Sequence, residues 1–107
     1  MLSVLEGIPY QAVGMGERKL VDEKHLPVMR IALRAGQSVP RHNADSNVHL
    51  LVLSGEVTVS IDNGGHMLKQ GYFLPVAFKS SMSIKNIGEK EATFLVIKTP
   101  NPGEMQK

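Results

Sequence analysis

The stretch AGQSVPRHNADSNVHLLVLSGE, residues 35–56, carries the strongest indications of the fold in this 107-residue chain. It contains His42 and His49, two of the four histidines, and its apolar run lies between turn-forming residues. Similar short runs rich in Val, Ile, Leu and Phe follow, and EVTVSID (56–62) and SMSIKNI (81–87) alternate apolar with polar residues. Period-two alternation over short runs bounded by turn residues is typical of β-strands. Regularly spaced short strands, without any ten-residue helical period, predict an all-β sandwich or barrel.

Glycines and prolines divide the chain into strands and turns. DNGG at 62–65 predicts a β-hairpin, because Asn-Gly readily takes the positive φ angles of a type I′ turn. The Gly-rich N-terminus predicts an arm or edge strand, and the prolines near the C-terminus predict a tail that leaves the sheet. The resulting division is an N-terminal arm or edge strands over 1–26, a barrel over 27–98 and a C-terminal tail over 99–107. Strands of the barrel are expected over residues 28–34, 48–54, 56–62, 71–78, 81–87 and 92–98.

The composition is that of an ordinary globular protein, with 42% hydrophobic and 21% charged residues. The net charge of +2 comes from charges spread evenly along the chain, so no basic tract marks a nucleic-acid-binding surface. The absence of cysteine excludes disulfides, thiol catalysis and cysteine-bound metal. Glu6 and Pro9 interrupt the N-terminal apolar run, which predicts no signal peptide, and the other apolar runs are too short to span a bilayer. We therefore expect a cytoplasmic protein whose partners include neither nucleic acid nor membrane.

Two sets of regularly spaced residues extend this prediction. The first set begins at a glycine and comprises Gly36, His42, Ala44, Val48 and Gly55. The second set also begins at a glycine and comprises Gly71, Ala77, Lys79, Met82 and Asn86. In these spacings, and in Gly36, Pro40, Gly55, Gly71 and Asn86, the chain resembles the cupin family over about residues 27–98. The resemblance implies a cupin-type double-stranded β-helix, the jelly-roll barrel of RmlC-like proteins, and it also implies a homodimer.

The resemblance does not extend to the metal ligands of the family. Cupin metal sites use His, His, Glu and His, whereas this chain has His42, Ala44, Val48 and Met82 at those positions. Because a divalent transition metal needs three or more histidine or carboxylate ligands, the sequence predicts no metal and no other cofactor. Met82 is expected to be an apolar filler of the barrel interior. The alternative is a single transition-metal ion near His42, a soft metal held by His42 and the Met82 thioether.

His42 is the main candidate for a functional residue, either as a ligand anchor or as a catalytic group. His49 is expected on the opposite side, at the outer sheet face or a subunit contact, because side chains alternate along a strand and Val48 points inward. The register of the motif predicts a ligand pocket whose members are His42, Ala44, Val48, Leu50, Met82 and Ile84.

Four further side chains are expected near the barrel mouth or on the surface. Arg41 and Lys79 are expected near the mouth of the barrel, as solvated surface charges or as attractants for an anionic ligand. His25, which precedes a proline, and His66, which follows the hairpin, are expected on the surface without an assigned role. None of these side chains falls within the predicted pocket.

Three functions follow as hypotheses. The leading one is a metal-free module that binds an unidentified small molecule of largely apolar character in the barrel, with His42 as its polar anchor. The second is an enzyme in which His42 is the base of an isomerisation or, with a soft metal at Met82, takes part in an oxygenase-like reaction. The third is a structural or partner-binding barrel without chemistry. A fold does not choose between such functions, so the ligand and the enzymatic status stay open at this point.

Overall fold

The structure of the chain is a computed structural model that describes residues 3–7 and 10–106. The predicted arm and tail also include residues 1–2, 8–9 and 107, which lie outside the described residues. A short 3-10 helix (Pro102–Gln106) follows the last strand, and no helix in the described ranges is long and apolar enough to cross a membrane. The strands within these ranges are β1 (Gly16–Asp22), β2 (Pro27–Leu33), β3 (Ser38–Asn43), β4 (Asn47–Ser54), β5 (Glu56–Ile61), β6 (Gly64–Lys69), β7 (Phe73–Val76), β8 (Ser81–Lys85) and β9 (Ala92–Thr99).

These strands form two antiparallel sheets. The larger sheet has the order β1-β2-β9-β4-β7, and the smaller sheet has the order β3-β8-β5-β6. Buried apolar residues from both sheets form one shared core between them. The all-β double-stranded β-helix predicted from the sequence is therefore confirmed.

The core is built from alternate residues of the strands. In β4, Val48, Leu50 and Val52 are buried between the sheets. His49 lies between two of them in sequence and is only half-buried, because it projects to the outer face. Complete burial of one aliphatic side chain contributes about 1.5–3 kcal/mol to stability. The alternation that predicts the strands thus also decides which side chains stabilise the barrel.

Three strands had no predicted range of their own, β1, β3 and β6, and all of them lie at sheet edges. Of these, β1 falls within the predicted N-terminal arm or edge strands, and β6 completes the predicted hairpin. The fourth edge strand, β7, is shorter than the predicted 71–78 segment. An edge strand pairs on one side only, so it tolerates prolines, glycines and charges that a central strand excludes. Pro40 in β3 and Gly65 in β6 are examples. The apolar pattern is weak in edge strands, because they form hydrogen bonds with a neighbour on one side only and are less buried. This explains why these strands had no predicted range.

The predicted hairpin is present, but its turn begins one residue earlier than Asn-Gly. Ile61 pairs with Gly64, so Asp62 and Asn63 form the two-residue loop between β5 and β6. Asp62 has a positive φ of 51°, and Asn63 does not share this conformation, so the turn is not type I′. The Asp62 carboxylate accepts a hydrogen bond from the backbone N–H of Ser81 at 3.1 Å, which ties the hairpin to β8.

The N-terminal segment covers part of the outer face of the larger sheet. Arg30 lies on this face and is completely buried. Its guanidinium donates to the carbonyl oxygens of Ser3 at 3.2 Å and Gly7 at 2.8 Å. Its Nε has no hydrogen-bond partner among the described residues. Because a buried guanidinium needs acceptors, these two carbonyls hold the N-terminal segment against β2.

Candidate functional site

A cavity of about 350 Å³ lies between the two sheets and opens to solvent on one side. The floor of the cavity is apolar. Three methionines of the described residues line the cavity, two on the floor and one at the rim. The floor residues are Met29, Ile31, Val39, Val48, Leu50, Met82, Ile84, Phe94 and Val96. The rim residues are Met15, Glu17, Pro40, Arg41, His42, Asp45 and Lys98. A cavity of this size is at the small end of the range for ligand sites, so it suits a fragment-sized molecule.

The structure brings five of the six predicted pocket residues together around this cavity. They are His42, Val48, Leu50, Met82 and Ile84. The sixth, Ala44, is buried in the core and does not line the cavity. Its backbone instead joins the strand connections, because its N–H donates to Ser80 O and its carbonyl accepts from Lys79 N, both at 2.8 Å.

His42 lies at the rim of the cavity and is exposed, rather than enclosed by apolar side chains. Val39 opposes Ile84 and His42 opposes Met82, so β3 carries one extra residue between these pairs. This bulge, on an edge strand, brings His42 into register with the inward-facing Met82. The bulge therefore determines which side chain of β3 borders the cavity at this point.

The hydrogen bond of His42 defines which ring nitrogen is available to a ligand. Nδ1 lies 2.9 Å from the carbonyl oxygen of Pro40. A carbonyl only accepts, so Nδ1 carries the proton and donates it. In the neutral ring Nε2 then has a free lone pair, which can accept a hydrogen bond or a proton. His42 is therefore an oriented acceptor at the entrance to an apolar cavity.

Among the described residues, four charged side chains lie at the rim: Glu17, Arg41, Asp45 and Lys98. Lys98 Nζ lies 2.9 and 3.1 Å from the two carboxylate oxygens of Asp45, and the Lys98 side chain is only 16% exposed. Glu17 has no ion-pair or hydrogen-bond partner in the part of the chain that the structure describes. The rim thus combines the Lys98–Asp45 ion pair with the unpaired Glu17 carboxylate and the Arg41 guanidinium.

The comparisons with known proteins define the family. No family model matches the chain. An uncharacterised protein of Methanocaldococcus jannaschii is 35% identical over 88 residues, which are 81% of this chain and 76% of that relative. The crystal structure of this relative, described as an RmlC-like cupin family protein with a double-stranded β-helix fold, matches with a TM-score of 0.82. That match has 32% identity and covers 87% of this chain and 86% of the relative. The chain belongs to the RmlC-like cupin family.

More distant cupin-type structures share the fold of this cupin. An uncharacterised double-stranded β-helix protein of Klebsiella pneumoniae has a TM-score of 0.86 at 19% identity, over 94% of this chain and 90% of that one. An RmlC-like cupin of Desulfovibrio desulfuricans has a TM-score of 0.85 at 16% identity, over 94% and 96% of the two chains. At such identities the likeness concerns the fold alone.

The residues of this cupin do not fit the divalent metal that the family motif holds. The four motif positions, on β3, β4, β8 and the β3–β4 connection, supply one imidazole and one thioether, because the side chains of Ala44 and Val48 have no donor atom. No group of three or more histidine, aspartate or glutamate side chains that could hold a metal occurs within residues 3–7 and 10–106. A divalent oxygen- or nitrogen-seeking ion therefore lacks its ligand set here.

The two cations predicted near the mouth of the barrel, Arg41 and Lys79, both contact side chains outside the cavity. The Arg41 guanidinium donates to the hydroxyls of Ser81 at 2.8 Å, Ser60 at 2.5 Å and Ser83 at 3.4 Å. These serines alternate with inward-facing residues of β5 and β8, so they hold the guanidinium on the outer face of the smaller sheet. Lys79 Nζ lies 5.3 Å from the centroid of the Phe78 ring. The Arg41 guanidinium is thus directed from the rim to the outer face, and Lys79 does not line the cavity.

The remaining histidines lie away from the cavity. His49 is on the outer face of the larger sheet, where its ring stacks on Phe73 at a centroid distance of 5.7 Å. His25 is exposed, with its Nε2 3.1 Å from a Glu23 carboxylate oxygen. His66 is exposed in β6.

Sequence reasoning predicted the β4 residues of the larger sheet but missed the cavity residues that β1, β2 and β9 supply. Glu17 and Met29 on β1 and β2, and Phe94 and Val96 on β9, line the cavity. The alternation in VMRIALR gave a usable signal for Met29 and Ile31, because both share one strand face. The predicted arm or edge strands over 1–26 include Glu17, but the sequence GERKLVD (16–22) has no apolar alternation that would assign Glu17 to a face.

Proposed function

We propose that this cupin is a metal-free binding protein that holds a small, largely apolar molecule in its barrel, with His42 as the polar anchor. The observation that carries the proposal is an apolar cavity with an oriented imidazole at its rim. Small-molecule sites have this composition, a mostly apolar lining with a few placed polar groups that fix the ligand. The motif positions that would hold a metal contribute apolar side chains to the interior instead.

A fragment screen by ligand-observed NMR tests the proposal. We expect neutral apolar fragments with one hydrogen-bond donor to bind, and we expect His42→Ala to weaken them by about twofold to tenfold, the effect of one hydrogen bond. His49→Ala removes an imidazole from the outer face of the larger sheet and should leave fragment binding unchanged. The proposal fails if no fragment binds, or if His42→Ala binds the fragments as tightly as the native protein does.

A Cu(I)-binding function is a second candidate, because three thioethers accompany His42. Met15, Met29 and Met82 line the same cavity as the imidazole. Thioether and imidazole ligands suit Cu(I) and not the harder divalent ions. Anaerobic titration against a chromophoric Cu(I) chelator would then show one equivalent bound, with at least about tenfold weaker binding in Met82→Leu. Retention of all copper by the chelator would exclude this candidate.

We also propose that the protein is a cytoplasmic homodimer. The support for the dimer is an exposed aromatic surface at the edge strand β7. Phe73 in this strand is 54% exposed, and Tyr72 beside it is 51% exposed. Static light scattering that gives the mass of a single chain would contradict the dimer. Recovery of the protein outside the cytoplasmic fraction of its cell would contradict the location.

A further inference from the structure

The orientation of Glu17 brings an unpaired carboxylate to the cavity. Glu17 on β1 opposes Ile31 on β2, and Ile31 is buried in the core. Opposed residues of an antiparallel pair project to the same face, so the Glu17 side chain is directed to the cavity side of the sheet. Glu17 is also one of the residues that line the cavity. Two independent observations, strand register and cavity lining, thus agree on its position.

The basic residues adjacent to Glu17 do not neutralise it. Lys19 Nζ lies 3.3 Å from a carboxylate oxygen of Asp22. The Arg18 guanidinium lies beside Gly7, where the N-terminal segment crosses the outer face. Within the described residues, no cation or hydrogen-bond donor is paired with the Glu17 carboxylate.

The other charged side chains at the rim do not pair with Glu17 in the described residues. Lys98 is neutralised by Asp45, with both carboxylate oxygens within 3.1 Å of its Nζ. The Arg41 guanidinium is held by serine hydroxyls on the outer face. The described rim therefore carries two carboxylates and two cations, and Glu17 is the carboxylate that no cation contacts.

The two free polar groups at the cavity are both acceptors. His42 donates through Nδ1 to Pro40, which leaves Nε2 as an acceptor, and the Glu17 carboxylate only accepts. A ligand with a carboxylate head would face Glu17 as a like charge. A ligand with an ammonium head would supply both the positive charge and the donors that these groups lack.

We propose that the molecule bound in the cavity is an amine, with an ammonium head at Glu17 and His42 and an apolar body of fragment size on the methionine-rich floor. This inference rests on the proposed binding function and adds the chemical class of the ligand. Salt weakens interactions between exposed charges, so the preference for an amine should shrink as ionic strength rises.

Three probes with one apolar body test the head-group preference: 2-phenylethylamine, 2-phenylethanol and phenylacetate. Their dissociation constants are measured by NMR titration at neutral pH and low salt. We expect the amine to bind about fivefold or more tightly than the alcohol, and the alcohol to bind more tightly than the acid. In Glu17→Gln the advantage of the amine over the alcohol should disappear while the affinity for the alcohol stays unchanged.

Glu89→Gln is the matched control, because Glu89 is an exposed glutamate that does not line the cavity. It should retain the full preference for the amine. The inference is overturned if the alcohol or the acid binds as tightly as the amine, or if Glu17→Gln keeps the preference; in these cases the proposed function stands. If none of the probes and no fragment of the screen binds, the proposed function itself fails.

Discussion

Asn86→Ala is expected to lower the free energy of unfolding by about 3–5 kcal/mol, because it removes three hydrogen bonds between a buried amide and backbone groups. Asn86 is 1% exposed, and its Nδ2 donates to the carbonyl oxygens of Leu33 at 3.0 Å and Lys90 at 2.8 Å. Its Oδ1 accepts from the N–H of Gly88 at 3.1 Å. The amide thereby joins the end of β2 to the turn between β8 and β9. A loss of this size is a large part of the total stability of a small domain.

Urea denaturation of the native protein and the variant measures this effect. Asn43→Ala is the control, because Asn43 is exposed on β3 and the described residues include no side-chain partner for it. The control should change the free energy of unfolding by less than about 0.5 kcal/mol. Equal effects of the two substitutions would show that the buried amide network does not stabilise the barrel.

Asn86→Asp gives a second measurement with a defined pH dependence. The introduced carboxyl would face the carbonyl oxygens of Leu33 and Lys90, which favour its protonated form and raise its pKa above the value of about 3.9 in the unfolded chain. For an acid whose pKa is raised by folding, the destabilisation is full at neutral pH and decreases as the pH falls through the folded-state pKa. The stability gap to the native protein should therefore narrow towards pH 4.

A triple substitution, Ala44→His, Val48→Glu and Met82→His, is expected to create a divalent metal site in a protein that lacks the ligands for one. His42 and residue 82 are opposed across β3 and β8, and residue 48 lines the same cavity from β4. Three histidines and one glutamate form a complete ligand set for Zn²⁺ or Ni²⁺. We expect one ion per chain with a dissociation constant of about micromolar or tighter.

Elemental analysis and thermal unfolding with and without the metal measure the result. The three polar residues replace buried ones, so the apo variant should be less stable than the native protein. Metal at about 100 times its dissociation constant should restore about 2.7 kcal/mol. Adding His42→Ala to the variant should weaken metal binding at least about tenfold. A folded triple variant without metal-dependent stabilisation would show that the motif positions do not converge in this barrel.

The sequence predicted the cavity most accurately where one strand face is buried and the other is not. In β4 the alternation around His49 correctly separates Val48 and Leu50 from the outer face. In β9 the run ATFLVI is apolar almost throughout, because Thr93 and Leu95 on the outer face are also buried. Alternation is absent where both faces are covered, so the side of the strand that Phe94 occupies could not be inferred.

The position of Arg41 depends on a feature that spacing alone does not show. A regular β3 would place Arg41 opposite Met82, whereas the bulge places His42 there. A one-residue change of register exchanges the two faces of a strand. The motif spacing predicted His42 at the barrel interior through the resemblance to cupins, and it contained no information on the serine hydroxyls that bind Arg41.

The position of β9 has a consequence for the biosynthesis of this protein. β9 is the last of the strands in residues 10–106 to be synthesised, yet it lies in the middle of the larger sheet, between β2 and β4. Until Thr99 has left the ribosome, β2 and β4 have no strand between them. Their apolar residues stay unpacked for on the order of several seconds at ordinary rates of translation. The barrel can therefore close only after β9 has emerged, and a nascent chain stalled before residue 92 leaves the apolar residues of β2 and β4 exposed.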